Sequence, residues 1–251
     1  MTLTAPLRPA PAAPRAPGRG RAPALLALLA VLGAGVVLGL AVGSRTIPAG
    51  TVVDVLFHPD GSDASTIVHD LRLPRTVLAV AVGVALGVAG ALMQGHTRNP
   101  LADPGLLGVE AGAAFAVVLG IHALGVTRLT GYAWFSLAGA GLAALAVLAI
   151  GSSRRGPDPV SLVLAGTAVS ALLFSLTQAI LLRDVDTLDD YRAWSVGSVA
   201  GRGWDVLWQV LPFLLVGLLL AALSASGLDL LQLGDDVASA LGLHPARHKV
   251  V

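Results

Sequence analysis

Six apolar blocks, each close to 20 residues long and almost free of charge, constrain this chain more than any other feature of its sequence. They cover about 24–43, 76–94, 106–124, 132–150, 160–182 and 206–224. At about 1.5 Å of rise per residue, a helix of that length crosses a hydrocarbon core of ~30 Å. A soluble helix would instead show a narrow apolar stripe at i, i+3, i+4 and i+7 with a polar face opposite. With 55% hydrophobic and only 12% charged residues, the chain has too little polar surface to cover such a core in water. The expected fold is all-α, a polytopic transmembrane bundle of about six spans.

Residues 1–23 hold Pro6, Pro9, Pro11, Pro14, Pro17 and Pro23 among alanine, glycine and arginine, which predicts an extended, disordered cytoplasmic tail. Arg8, Arg15, Arg19 and Arg21 precede the first block. A cleavable signal peptide has the same order of parts, with Ala41-Val42-Gly43 as a weak cleavage site. Signal cores, however, usually run about 7 to 15 residues, so a retained span is expected. The transmembrane domain is then 24–224, and 225–251 forms a cytoplasmic end.

Positive charge sets orientation, because short cytoplasmic loops retain arginine and lysine. With the N-terminus inside, the inner segments carry Arg8, Arg15, Arg19, Arg21, Arg98, Arg154, Arg155, Arg247 and Lys249. The outer ones carry Arg45, Arg72, Arg75, Arg128, Arg183, Arg192 and Arg202. The acidic residues Asp184, Asp186, Asp189, Asp190 and Asp205 all fall in one outer loop. Both termini are therefore expected in the cytoplasm and the protein in the inner, cytoplasmic membrane. Glycines within the blocks, as in Gly83-Val84-Ala85-Leu86-Gly87 and Gly139-Ala140-Gly141, are expected to let helix backbones approach closely.

Several chemistries are excluded. A net charge of +1 with basic residues scattered or N-terminal gives no nucleic-acid surface. Absence of cysteine removes disulfides, thiolate nucleophiles and iron–sulfur clusters. His58, His69, His96, His122, His244 and His248 show no metal-ligand spacing. No phosphate-binding Gly-x4-Gly-Lys-Ser/Thr loop occurs, and Lys249 is the only lysine. No metal, no cofactor and no catalytic group are expected.

The most informative stretch is Leu71 to Gly108. It reads Leu71-Arg72-Leu73-Pro74-Arg75, one apolar span ending in Gln94, then Arg98-Asn99-Pro100-Leu101-Ala102-Asp103-Pro104. Arg72 and Arg75 flank Pro74 just outside the second span, where their guanidinium groups suit carboxylates of a partner, or lipid phosphates. Asn99-Pro100 and Asp103-Pro104 form a turn in which proline stops the helix and short polar side chains bond freed backbone groups. Gln94 is a candidate lining residue, since a polar group at membrane depth favours a water-facing position. Glu110, early in the third span, is assigned to capping the helix start in preference to transport.

These motifs resemble the FecCD-type permeases, the membrane subunits of ABC importers for iron siderophores, haem and vitamin B12. Leu164-Ala165-Gly166 and Trp194-Ser195-Val196-Gly197-Ser198 also resemble that family, so the likeness covers about Leu71 to Leu243. The resemblance implies that Arg72 and Arg75 receive acidic residues of a substrate-binding protein. It assigns Gln94, Asn99, Pro100 and Pro104 to the translocation path and its gating. Leu233-Gly234-Asp235-Asp236-Val237-Ala238-Ser239-Ala240-Leu241-Gly242 is similar to the family's ATPase-docking segment. Gly234, Asp235, Asp236, Ala238, Leu241 and Gly242 would thus couple to the ATPase, with Asp235 where glutamate is common. A short helix with acid in its first turn and an apolar face suits such a partner groove.

The implied partners are a second permease subunit, two ABC ATPase subunits that hydrolyse ATP, an extracytoplasmic binding protein and the bilayer. The implied cargo is an Fe(III)-siderophore or related chelate. Family members carry about ten spans, whereas Val251 lies just past the coupling segment, so a truncated product or one half of a split permease is expected. A transport-incompetent fragment is the rival to a working permease. An ion-coupled secondary transporter ranks below both, because no buried acid pair or broken-helix ion site stands out.

Overall fold

The computed structural model describes residues 21–97, 99–153, 156–157 and 159–232. Gly234, Asp235, Asp236, Ala238, Leu241 and Gly242, expected to couple to an ATPase, lie outside them, as do the tail 1–20 and Arg98, Arg154 and Arg155. The described elements are α1 (Arg21–Ala41), α2 (Ala49–Phe57), α3 (Asp63–Thr66), a π-helical turn Ile67–Arg72, α4 (Leu73–Thr97), a 3-10 turn Pro104–Leu107, α5 (Val109–Leu124), α6 (Leu129–Gly151), α7 (Pro159–Leu181), α8 (Val185–Ser195) and α9 (Trp204–Gln232). A two-residue antiparallel pairing, β1 (Ser152–Ser153) with β2 (Gly156–Pro157), closes the α6–α7 hairpin. The expected all-α class holds.

Five segments are long and apolar enough to cross a membrane: Ala22–Ala41, Asp63–Gly95, Leu129–Gly151, Val160–Leu181 and Trp204–Ala225. Their mean hydropathy is 2.0 to 2.6, yet at most 17% of any of these windows is buried. Water would penalise that much exposed leucine and valine heavily, so the solvent these faces are built for is lipid. The third expected span divides in two. Asp103 caps the 3-10 turn by accepting from the Gly105 amide at 2.7 Å, and Gly108, at φ +73°, separates that turn from the 16-residue α5.

The chain forms two compact units, Met1–Val68 and His69–Val251. In the first, α1 packs on α2 and α2 on α3. The nine-residue α2 buries Val52 and Val55, and Ser62 caps α3 by accepting from the Ser65 amide at 3.2 Å. Neither short helix was expected from the apolar blocks.

In the second unit α5, α6 and α7 pack on one another, while α4 pairs chiefly with α9. Val117, Val118 and Ile121 of α5 and Ala143 and Val147 of α6 are buried in this packing. The two helices run antiparallel and nearly touch: a Cβ on Gly112 would sit 2.5 Å from the Ala143 methyl and collide with the Gly139 carbonyl oxygen. One on Gly139 would strike the Gly112 carbonyl oxygen and the Ala116 methyl. Small residues at this crossing therefore have a steric cause, as expected for Gly139. At Gly83, Gly87 and Gly141 no described atom lies within 4 Å of such a Cβ. Trp134 of α6 and Phe213 of α9 meet edge to face at 5.3 Å. α9 continues to Gln232, well past the expected end of the sixth span near residue 224.

Candidate functional site

A groove of about 680 Å³ opens along α5 and α7 beside the turn that follows α4. Asp103 and Gly105 come from the turn, Glu110, Ala111 and Ala114 from α5, and Thr167, Ser170, Ala171 and Phe174 from α7. The turn is rigid for local reasons. Asn99 Oδ1 accepts from the Leu101 amide at 3.0 Å, the Ala102 amide donates to the Asn99 carbonyl at 3.1 Å, and the 3-10 turn behind them packs on α5, α6 and α7. Gly108 fits between α6 and α7, where a Cβ would meet Ser170 Oγ at 3.4 Å and Val147 Cγ2 at 3.6 Å. The groove thus sets the carboxylates of Asp103 and Glu110 at its turn end and the hydroxyls of Thr167 and Ser170 among apolar Ala111, Ala114, Ala171 and Phe174.

The expected lining residues fall beside this groove. Gln94 is exposed near the end of α4, and Asn99 and Pro100 occupy the exposed turn. None of the three lines the groove, and Pro104 begins the 3-10 turn at its edge. Glu110 stands in the first turn of α5, where the helix macrodipole favours its charge, and also lines the groove. Thr167 and Ser170 were missed. Thr167 Oγ1 bonds back to the Val163 carbonyl at 2.8 Å, a habit shared by Ser and Thr in any apolar helix, so the local sequence carries no sign of the groove.

Arg72 ends the π-helical turn and is 3% exposed, next to a fully buried Pro74; Arg75, one turn on, is half-buried. Both were expected to project outward. Arg72 is enclosed, and Arg75 is the more accessible of the two.

At the far end of α5 the helix α8, expected only as part of a loop, is held by one carboxylate. Asp184 caps it: Oδ2 accepts from Thr187 Oγ1 at 2.6 Å, Oδ1 from the Thr187 amide at 3.1 Å, and Oδ2 also meets His122 Nδ1 at 2.6 Å. An ionised carboxylate only accepts, so the His122 proton sits on Nδ1. The Thr187 hydroxyl, the Thr187 amide and His122, in that order, hold the Asp184 carboxyl well below the usual carboxylate range. A depressed value contributes stability that is complete above the ordinary pKa of about 3.9 and is lost as pH falls through the depressed one. α8 should accordingly stay docked at pH 5 by its Asp184 contacts. His122→Ala or Asp184→Asn should speed amide exchange over Val185–Ser195 about tenfold, with little change in α6. Equal exchange in both variants and the parent would show the clamp to be idle.

Among the described residues no group of three or more His, Asp or Glu side chains could hold a metal ion. Taken together, the long, exposed apolar helices and their close glycine crossing define a multi-pass membrane protein. The chain belongs to the FecCD transport family, which matches residues 28–251. It is 42% identical over 229 residues to the iron(3+)-hydroxamate import system permease protein FhuB of Bacillus subtilis, covering 90% of this chain and 59% of that one. It is 44% identical over 230 residues to the ferric enterobactin transport system permease protein FepD of Escherichia coli, covering 91% and 68%. The chain therefore spans roughly two thirds or less of these relatives' own length. Its fold is similar to a chain solved in an inward-facing conformation of a metal-chelate type ABC transporter, with TM-score 0.69 and 28% identity over 90% of this chain and 68% of that one.

Proposed function

We propose that this chain acts as a membrane-spanning permease subunit of an ABC importer that carries an Fe(III)-siderophore or related chelate across the cytoplasmic membrane. The family match over 28–251 carries this reading, supported by relatives named for ferric hydroxamate and ferric enterobactin. The chain performs no chemistry on its cargo. Its partners are a second permease subunit, two ATPase subunits and an extracytoplasmic binding protein. ATP-driven closure reaches the bundle through Gly234, Asp235, Asp236, Ala238, Leu241 and Gly242. Gln94, Asn99, Pro100 and Pro104 form the frame beside the passage, and Asp103, Glu110, Thr167 and Ser170 its polar wall. Both termini face the cytoplasm, which puts α8, Arg72 and Arg75 outside.

The test is uptake of radiolabelled iron, as a ferric hydroxamate and as a ferric catecholate, in cells lacking this chain and in cells with it restored. Uptake of one chelate should fall to background and recover with the chain; unchanged uptake of both would refute the reading.

Docking divides between the two arginines. Arg75→Glu should weaken binding-protein affinity for the reconstituted complex by about tenfold or more, the range for truncating or reversing one partner of an interfacial charge pair. Arg72→Glu should in addition lower thermal stability, because it places an unmatched charge in an enclosed position. Unaltered affinity in Arg75→Glu would remove that residue from the docking face.

A further inference from the structure

All six tryptophan and tyrosine residues of the chain lie at one end of the second unit. Tyr132 and Trp134 are in the first two turns of α6, Tyr191 and Trp194 in α8, and Trp204 and Trp208 in the first two turns of α9. Four contacts bring these segments to the same end. Trp134 meets Phe213 edge to face, and the Trp204 indole donates to the His69 carbonyl at 3.1 Å beside the start of α4. His122 joins the end of α5 to the start of α8, and Phe135 packs over Gly120 near that same end of α5. The opposite end, with the turn 99–108 and the α6–α7 hairpin, holds neither residue type.

Three of these rings are not core. Trp134 and Trp208 are each 65% exposed and Trp204 37%, on helix faces built for lipid. Each pair of helix starts also carries a cation. Arg128 immediately precedes α6 and Arg202 lies two residues before α9, and among the described residues neither has an ion pair. Indole rings settle where hydrocarbon gives way to headgroup carbonyls, and arginine reaches the phosphates just above. Membrane helix bundles usually carry such aromatic girdles at both interfaces; the Trp and Tyr residues of this chain gather at one.

We propose that Arg128, Trp134, Arg202 and Trp208 form a one-sided anchor that binds the phospholipid headgroup layer at the α8 end of the bundle and fixes the depth at which it sits. The cations match lipid phosphate and the rings match the carbonyl zone, so the occupant of this face is lipid. The proposal does not depend on what the chain transports.

The test is tryptophan quenching of the full chain in phosphatidylcholine–phosphatidylglycerol vesicles. Lipids brominated near the headgroup should quench about twice as strongly as lipids brominated deep in the acyl chain, and aqueous acrylamide should quench weakly. Trp134→Leu/Trp208→Leu should remove most of the shallow quenching, and Arg128→Gln/Arg202→Gln should bring the two bromine positions toward equal effect. Deep quenching that equals or exceeds shallow quenching in the parent chain would overturn the anchor. So would acrylamide quenching as strong as that of free tryptophan, which would leave the face open to a protein partner.

Discussion

Gly139→Leu is expected to disrupt the bundle more than any other single apolar substitution in the described residues. A side chain there drives directly into the backbone of α5 at Gly112 and into the Ala116 methyl, and neither is the movable tip of a flexible side chain. Overpacking an ordinary core costs about 1 to 3 kcal/mol, and separating two helix backbones exceeds that range. We expect a loss of at least ~3 kcal/mol, read as a large fall in thermal midpoint or detergent-resistant fraction for the reconstituted chain. Gly141→Leu, two residues along and facing open space, should be close to neutral. Equal behaviour of the two variants would mean that the α5–α6 crossing is not as close as described.

Ala171→Trp is expected to have the largest effect on transport. Ala171 lies on the exposed wall of the groove, so an indole there narrows the groove proposed as the passage without entering the core. Permeation depends steeply on the free cross-section, and iron uptake should fall on the order of tenfold or more with stability retained. Leu172→Trp, on the adjacent exposed position outside the groove, should leave uptake near the parent level. Loss of uptake in both would point to a general defect of α7, and loss in neither would dissociate the groove from the passage.

The long helices were legible because their cause is local. A run such as Val160 to Leu182 without charge admits one structure in a bilayer, whatever surrounds it. The short helices were not, since α2 and α8 have no long apolar run; α8 depends on the Asp184 cap and on His122, 62 residues away in sequence. Within the third expected span the helix begins later than the apolar block does. Leu106 and Leu107 look like helix in sequence, whereas Asp103, Pro104 and a left-handed Gly108 turn them into a separate 3-10 turn. At Asn99 to Pro104 the turn expected from the two Asx-Pro pairs is present, held by Asn99 and Asp103 side chains that accept from backbone amides two residues on. The groove itself was invisible: Thr167, Ser170 and Glu110 come together only when α5 meets α7, and nothing in their neighbours' identity reports that meeting. The enclosure of Arg72 is likewise a tertiary outcome, and the π-helical turn that Arg72 ends has no announcing sequence period.

The most direct measurement of the central claim uses the absence of native cysteine, which makes any introduced thiol the sole reporter. Ser198→Cys probes the linker after α8, Leu101→Cys the exposed turn after α4, and Leu142→Cys the lipid-facing middle of α6. In right-side-out membrane vesicles a membrane-impermeant maleimide should label position 198 alone. After permeabilisation it should label 198 and 101, and 142 should stay unlabelled throughout. Labelling of 142, or of 198 and 101 from the same side, would contradict a bundle that crosses the bilayer with these two turns on opposite faces.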